Sequence, residues 1–381
     1  MSARAIAELR AAFEEPFWKL GRDAARDRET VLLSWPSVPV ELVRAAGFLP
    51  VFARGRGTPT PAADRVLEPD LFPNRLRQLV EAALTERLAD VAAIVLPRSS
   101  DPDYKCFLYL RELVRRGIAK HLPPVLLFDL LHSDAPDARA YNAGRARDLS
   151  ARLTSLAGRR LQDDDDLRET IASANRARAA ARRLTALRGA RPRIAGTDVL
   201  PLLGAFWQLA PERYAALANT ATDVLAQGLP LERCRVVVAG VPVDAPAIHA
   251  AIEAEGAVVV AELSPFGGCN AREDVEIADD PFLSLANHCG RESIDARLPV
   301  NALMHKLDDL LDAAQAVVLS QPPDDASFGW DYPRVRELLA RRATPHTVLT
   351  GDPAFDATAA DRERIRALLS DAHVRREVPR G

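Results

Sequence analysis

Arg235-Val-Val-Val-Ala-Gly240 decides the fold class of this chain. Four apolar residues in unbroken succession, three of them β-branched and closed by glycine, suit a strand buried on both faces, as strands of parallel sheets are. Downstream the same grammar repeats. A helical pattern over 245–255 leads to an apolar run at 257–263, helices near 281–289 and 300–314 precede Ala316-Val-Val-Leu-Ser320, and a helix at 333–341 precedes a run at 346–350. Upstream, Thr30-Val-Leu-Leu-Ser-Trp35, Val91-Ala-Ala-Ile-Val-Leu96 and Pro124-Val-Leu-Leu-Phe-Asp129 alternate with amphipathic stretches at 74–89 and 104–116. Strand, helix, strand is the pattern of a doubly wound sheet.

Between the two series lies a segment of different composition. Residues 139–188 are poor in Gly and Pro and rich in Ala, Arg, Leu and acidic residues, which predicts long helices ended by Gly189 and Pro192. The acidic run Asp163–Asp166 fits a helix N-terminus, where the helix dipole favours negative charge. A second helix is predicted at 211–227. The expected organisation is an N-terminal helix (1–28, amphipathic over 3–20), a first α/β lobe (29–138), a helical section (139–232) and a second α/β lobe (233–381). Both lobes are read as doubly wound parallel sheets of the Rossmann or flavodoxin type.

Composition narrows the function classes. The 381 residues are 48% hydrophobic and 27% charged, with a net charge of −3 and basic residues interleaved with acidic ones. No electrostatic footprint for nucleic acid follows from this. No run approaches the roughly 18 apolar residues of a membrane span. The opening residues, with Arg4, Glu8 and Arg10, predict no export signal, so a cytoplasmic location is expected. Cys106, Cys234, Cys269 and Cys289 are isolated, and the ordinary reading of such cysteines is small core residues. G-x-G-x-x-G, Walker, H-E-x-x-H and G-x-S-x-G patterns are all missing, which removes a dinucleotide fingerprint, nucleotide hydrolysis, a zinc protease and a serine-hydrolase nucleophile.

Ligands of open parallel sheets bind beyond the carboxyl ends of the strands. Four segments occupy such positions: Trp35–Glu41, Pro97–Asp103, Gly240–Asp244 and Ser320–Ser327. In the first, Ser37 and Glu41 are read as a helix cap and a dipole partner, or as groups that polarise an acyl carbonyl. In the second, Ser99, Ser100, Asp101 and Asp103 suit capping, while Arg98 is placed to attract an anion. The cleft is therefore expected to be anion-friendly.

Ser37-Val-Pro-Val-Glu-Leu-Val-Arg-Ala-Ala-Gly-Phe-Leu-Pro50 resembles the opening signature of the 2-hydroxyacyl-CoA dehydratase and benzoyl-CoA reductase family. Leu96–Leu113, Gly240–Asp244 followed by 252–259, and Ala316–Leu319 before 332–339 fall in the same order as in that family, so the resemblance spans roughly 29–352. It implies two α/β lobes, an acyl-CoA substrate, a homologous cysteine-bearing subunit and an ATP-dependent activator. In the family, an electron from that activator passes through a 4Fe-4S cluster to the thioester, and either water is eliminated or an aromatic ring is reduced. The resemblance places Ser37 and Glu41 near the thioester, Ser100 and Asp101 at the former cluster position, and Trp330 on the second-lobe side, while Arg98 stays a substrate-binding candidate on its own charge.

This sequence departs from the family at the cysteines, with Ser100-Asp101 where Cys-Asp is usual and none in Asp324–Trp330. Hydroxyls are poor ligands for iron–sulfur clusters. A cluster on this chain is accordingly expected to be absent, with Cys106, Cys269 and Cys289 as its only candidate ligands. The residues leave a flavin open. Two functions remain: a subunit shaping an acyl-CoA pocket beside a cluster-bearing partner, or a non-catalytic paralogue that binds acyl-CoA or scaffolds the complex.

Overall fold

The computed structural model describes residues 2–20, 29–159, 164–268, 271, 273–292, 296–325 and 327–377. A first parallel sheet contains β1 (Thr30–Leu33), β2 (Leu49–Phe52), β3 (Val91–Pro97) and β4 (Val125–Phe128) in the order β2-β1-β3-β4. Helices α2 (Val40–Ala45), α3 (Asn74–Leu84) and α4 (Asp101–Arg115) connect them. A second parallel sheet contains β5 (Cys234–Gly240), β6 (Ala257–Glu262), β7 (Ala316–Ser320) and β8 (His346–Leu349) in the order β6-β5-β7-β8, with α9 (Ala247–Ala254), α10 (Pro281–Glu292), α11 (Val300–Leu311) and α12 (Phe328–Arg341) between strands and α13 (Ala359–Glu377) after them. The α/β fold with two lobes expected from the strand runs is therefore the fold observed, and both lobes follow one winding scheme.

Period-two alternation along fully buried strands explains the layering. In the second sheet, Val237, Ala239, Val317 and Leu319 face one apolar layer, and Val236, Val238, Ala316 and Val318 face the other. In the first, Leu32, Ile94 and Leu96 face α3 and α4, while Val31, Leu33, Ala93 and Val95 face the helical section. That section comprises α5 (Pro136–Leu156), α6 (Asp164–Thr185), α7 (Gly196–Gly204) and α8 (Pro211–Leu225), and it shares a single core with the first sheet. Helix α1 (Ser2–Glu14) packs on α7 and α8. Helix α6 opens on Asp164–Asp166, as expected for an acidic helix start; Asp163 lies outside the described residues.

Three elements were not expected from the sequence. The first is β2, whose Pro50 interrupts a strand pattern; the strand lies at the sheet edge, where a missing N–H is tolerated. Helix α7 carries Pro201 internally and glycine at both ends, and α13 is too polar to display a clear apolar face. Helix α3 stops at Leu84, five residues short of its expected end, where Glu86 turns to a positive φ of 56°. Among the described residues no helix is long and apolar enough to cross a membrane.

Candidate functional site

In both sheets the winding reverses between two inner strands, β1 and β3 in one and β5 and β7 in the other, and loops leaving the sheet part there. The two reversals face each other across a cavity of about 140 Å³. All four segments singled out in the sequence contribute to its wall: Trp35 after β1, Ser99 to Asp103 around the start of α4, Gly240 to Asp244 after β5, and Pro322 to Ser327 before α12. Gly240 is required by the geometry. Its φ is +100°, and a Cβ there would lie 2.3 Å from the carbonyl oxygen of Ser320.

The polar centre of the wall is the pair Arg75–Asp103. Arg75 Nη1 donates to Asp103 Oδ1 at 2.9 Å and to the Ser34 carbonyl at 2.9 Å, and Nη2 donates to Asp103 Oδ2 at 2.8 Å. The hydroxyls of Ser34, Ser99 and Ser100 also donate to this carboxylate. Ser100 in return accepts the Asp103 amide at 3.1 Å and caps α4, as capping chemistry predicts. Burial alone would lower the Arg75 pKa, but Asp103 raises it, so the guanidinium is held charged. It also lies 4.4 Å from the Trp35 ring centroid, a cation–π contact.

Among the described residues the remaining charge in the cavity wall is acidic: Asp244, Asp324, Asp325, Asp331 and Asp352. The cleft is therefore not the anion-friendly one expected. The N-termini of α4 and α12 do converge here, but acidic residues of their own neutralise them; Asp325 alone accepts the amides of Ser327, Phe328 and Gly329 at 2.9, 2.8 and 2.7 Å. Burial, then the neighbouring Asp352 carboxylate, pushes the Asp324 carboxyl up to about 6. Asp244 is also raised by burial, although Arg54 and the Gly55 amide at 2.8 Å oppose the shift. This Gly55–Asp244 bond, together with Arg54 Nη1 donating to the Asp244 carbonyl at 3.1 Å, ties the loop after β2 to the loop after β5 and so fixes one lobe against the other.

The residues expected to act do not all gather here. Ser100 lines the cavity. Asp101 stands at its rim with 77% of its side chain exposed, 3.7 Å from Arg297. Arg98 lies over Tyr104 and 3.6 Å from Asp129, outside the wall, and Trp330 on α12 is 87% exposed, also outside it. Ser37, in the loop after β1, and Glu41, in α2, are both buried, and neither borders the cavity. Ser37 is not a helix cap: the cap position of α2 is Pro39, and the Ser37 hydroxyl has no hydrogen-bond partner in the structure. Glu41 sits in the first turn of α2, as expected of a dipole partner, and accepts from Arg178 of α6 at 2.6 Å.

Of the cysteines, Cys106 is buried in α4, where burial first and the Asp103 charge second push its thiol far up. Cys289 is buried in α10 within the core shared with α5, next to His288, whose pKa burial and then Arg178, Arg291 and Lys306 lower to about 3. Cys234 opens β5 at the sheet end opposite the cavity, and Cys269 lies outside the described residues. The donors in the cavity wall are hydroxyls and carboxylates, hard ligands that do not fit a cluster requiring thiolates.

Sequence reasoning missed Arg75 and the loop after β8. Arg75 did leave a signal, since a cation in the first turn of a helix opposes the dipole and calls for an external partner. A second cavity, of about 490 Å³, adjoins the first through the shared residue Leu298 and carries Arg139, Arg291 and Lys306 alongside Asp134, Glu273 and Asp309.

Residues 37–370 match the family model described as 2-hydroxyglutaryl-CoA dehydratase, D-component. No curated protein matches the chain. Among solved structures, the SBP FpvC of Pseudomonas aeruginosa in complex with Ni2+ is 10% identical over 93% of this chain and 99% of that one, with a TM-score of 0.21. An FpvC mutant from the same organism is 12% identical over 91% and 98%, with a TM-score of 0.18. Likeness at that level carries no structural argument.

Proposed function

The chain belongs to the 2-hydroxyglutaryl-CoA dehydratase D-component family, and on that premise we propose that it is a subunit of a 2-hydroxyacyl-CoA dehydratase-type complex whose interlobe cavity receives the acyl end of an acyl-CoA. The observation that carries this reading is the meeting of both winding reversals at one cavity, the position at which open parallel sheets bind ligands. Its volume of about 140 Å³ suits a group of roughly benzene size, the scale of an acyl chain rather than of a whole coenzyme. The adjoining cavity, with Arg139, Arg291 and Lys306, suits the phosphates of the coenzyme, and the pantetheine arm would run past Leu298.

The chain's own contribution to chemistry is proposed to be positioning and proton transfer. Elimination of water requires a proton on the departing hydroxyl, and Asp324, its carboxyl raised toward neutrality, is matched to supply it; the C–O bond breaks to release water, and the Asp324 carboxylate left behind takes the β-hydrogen as a proton when the enoyl double bond forms, which restores the acid. Asp103 is clamped by Arg75 and three serines and serves to hold the α4 start rigid. Redox chemistry is assigned to a cluster on a homologous cysteine-bearing partner, since hydroxyls and carboxylates surround the cavity here.

Reconstitution tests the proposal. The chain is combined with a cysteine-bearing homologous subunit, an ATP-dependent activator and a 2-hydroxyacyl-CoA, and release of the 2-enoyl-CoA is followed. Product formation that requires this chain and falls at least tenfold in Asp324→Asn supports the reading. Failure to associate with the partner, or full activity of the partner alone, overturns it.

A further inference from the structure

The cavity wall has a charge pattern that constrains which acyl groups it can take. Among the described residues six aspartates border it, at 103, 244, 324, 325, 331 and 352, against one cation, Arg75. That cation is engaged: both terminal nitrogens bond Asp103, and Nη1 also bonds the Ser34 carbonyl. Asp325 is taken up by three amides of α12. Asp324 and Asp331 have no such compensation, and in both, burial outweighs the neighbouring arginines and raises the carboxyl. The rest of the wall is largely apolar, with Trp35, Leu298, Leu303 and Phe328.

A ligand carboxylate entering this space meets like charges at short range and low dielectric, and the one cation among the described wall residues, Arg75, is already paired. Resting on the acyl-CoA reading, we propose that the cavity is a charge filter that admits acyl groups whose distal end is uncharged or carries an ammonium, and rejects acyl groups that end in a carboxylate. Repulsion of the unwanted ligand, rather than extra attraction for the wanted one, supplies the discrimination.

Calorimetric titration of the full chain with hexanoyl-CoA, 6-aminohexanoyl-CoA and adipoyl-CoA tests this, because the three share the coenzyme and chain length and differ only at the far end. Adipoyl-CoA is expected to bind at least tenfold more weakly than hexanoyl-CoA, and 6-aminohexanoyl-CoA at least as tightly. In the Asp324→Asn/Asp331→Asn variant the ratio of adipoyl-CoA to hexanoyl-CoA dissociation constants is expected to shrink at least threefold. Adipoyl-CoA binding as tightly as hexanoyl-CoA, or a ratio unmoved by the double substitution, overturns the filter while leaving the acyl-CoA reading standing. Failure of all three thioesters to bind overturns the acyl-CoA reading and the filter with it.

Discussion

Replacing Asp324 with asparagine is expected to stabilise the ligand-free chain at alkaline pH and to do almost nothing in acid. The carboxyl is moved from its ordinary 3.8 to about 6 by burial and by Asp352. A displacement of about two pH units, at about 1.4 kcal/mol per unit, corresponds to about 3 kcal/mol once the group is fully ionised. Residual solvent contact of the half-buried side chain reduces this to about 2 kcal/mol. Because the folded-state pKa is raised, the group's contribution is favourable below pH 4 and is lost as the pH climbs through 6. Asparagine keeps the shape and removes the ionisation, so the gain should appear at pH 8 and fall well below 1 kcal/mol at pH 4. Urea unfolding of wild type and variant at the two pH values reads this as a shift in midpoint. A variant that gains nothing at pH 8, or gains equally at both, refutes the argument that an ionised carboxylate is being held in an unfavourable place. Such sites, where stability is given up locally, are the ones expected to act on ligands.

Arg75→Met should cost about 3–5 kcal/mol in urea unfolding by leaving Asp103 buried and uncompensated, and Arg75→Met/Asp103→Leu should recover most of that loss. Gly240→Ala should cost about 2 kcal/mol or more, seen as a lower Tm, since it places a methyl group against the Ser320 carbonyl at a positive φ. Burial would raise the Glu262 carboxyl, but Arg188, which donates to it at 2.6 and 2.9 Å, and His249 hold it well below the ordinary 4.5. That depressed value contributes stability above pH 4.5 which is lost as the pH falls further, so the urea midpoint should drop in acid, and drop less steeply in Glu262→Gln.

Seven of the eight strands were legible in the sequence because each carries an unbroken apolar or β-branched run with no proline inside it. The eighth, β2, was hidden by Pro50, which an edge strand accommodates and an inner strand would not. At the site, the rule that function collects after parallel strands found four of the loops in the wall, including Ser99, Ser100, Gly240 and Asp324. It misjudged side-chain direction. Trp330 lies in the first turn of α12 between the wall residues Phe328 and Asp331 but on the helix side turned to solvent, and Arg98 turns toward Asp129, since helix phase and loop path are set by tertiary packing rather than by adjacency in sequence. The sign of the cavity's charge was equally out of reach, because it depends on which aspartates meet and on Arg75 being taken by Asp103.

Hydrogen exchange of the full chain with and without 2-hydroxyhexanoyl-CoA tests most directly whether the interlobe cavity is the acyl-CoA site. Protection concentrated at residues 97–103, 240–244 and 320–328, and weakened in a cavity-filling Ser99→Trp variant, is the predicted result. Binding whose protection falls elsewhere, or that the filled cavity leaves unchanged, contradicts it.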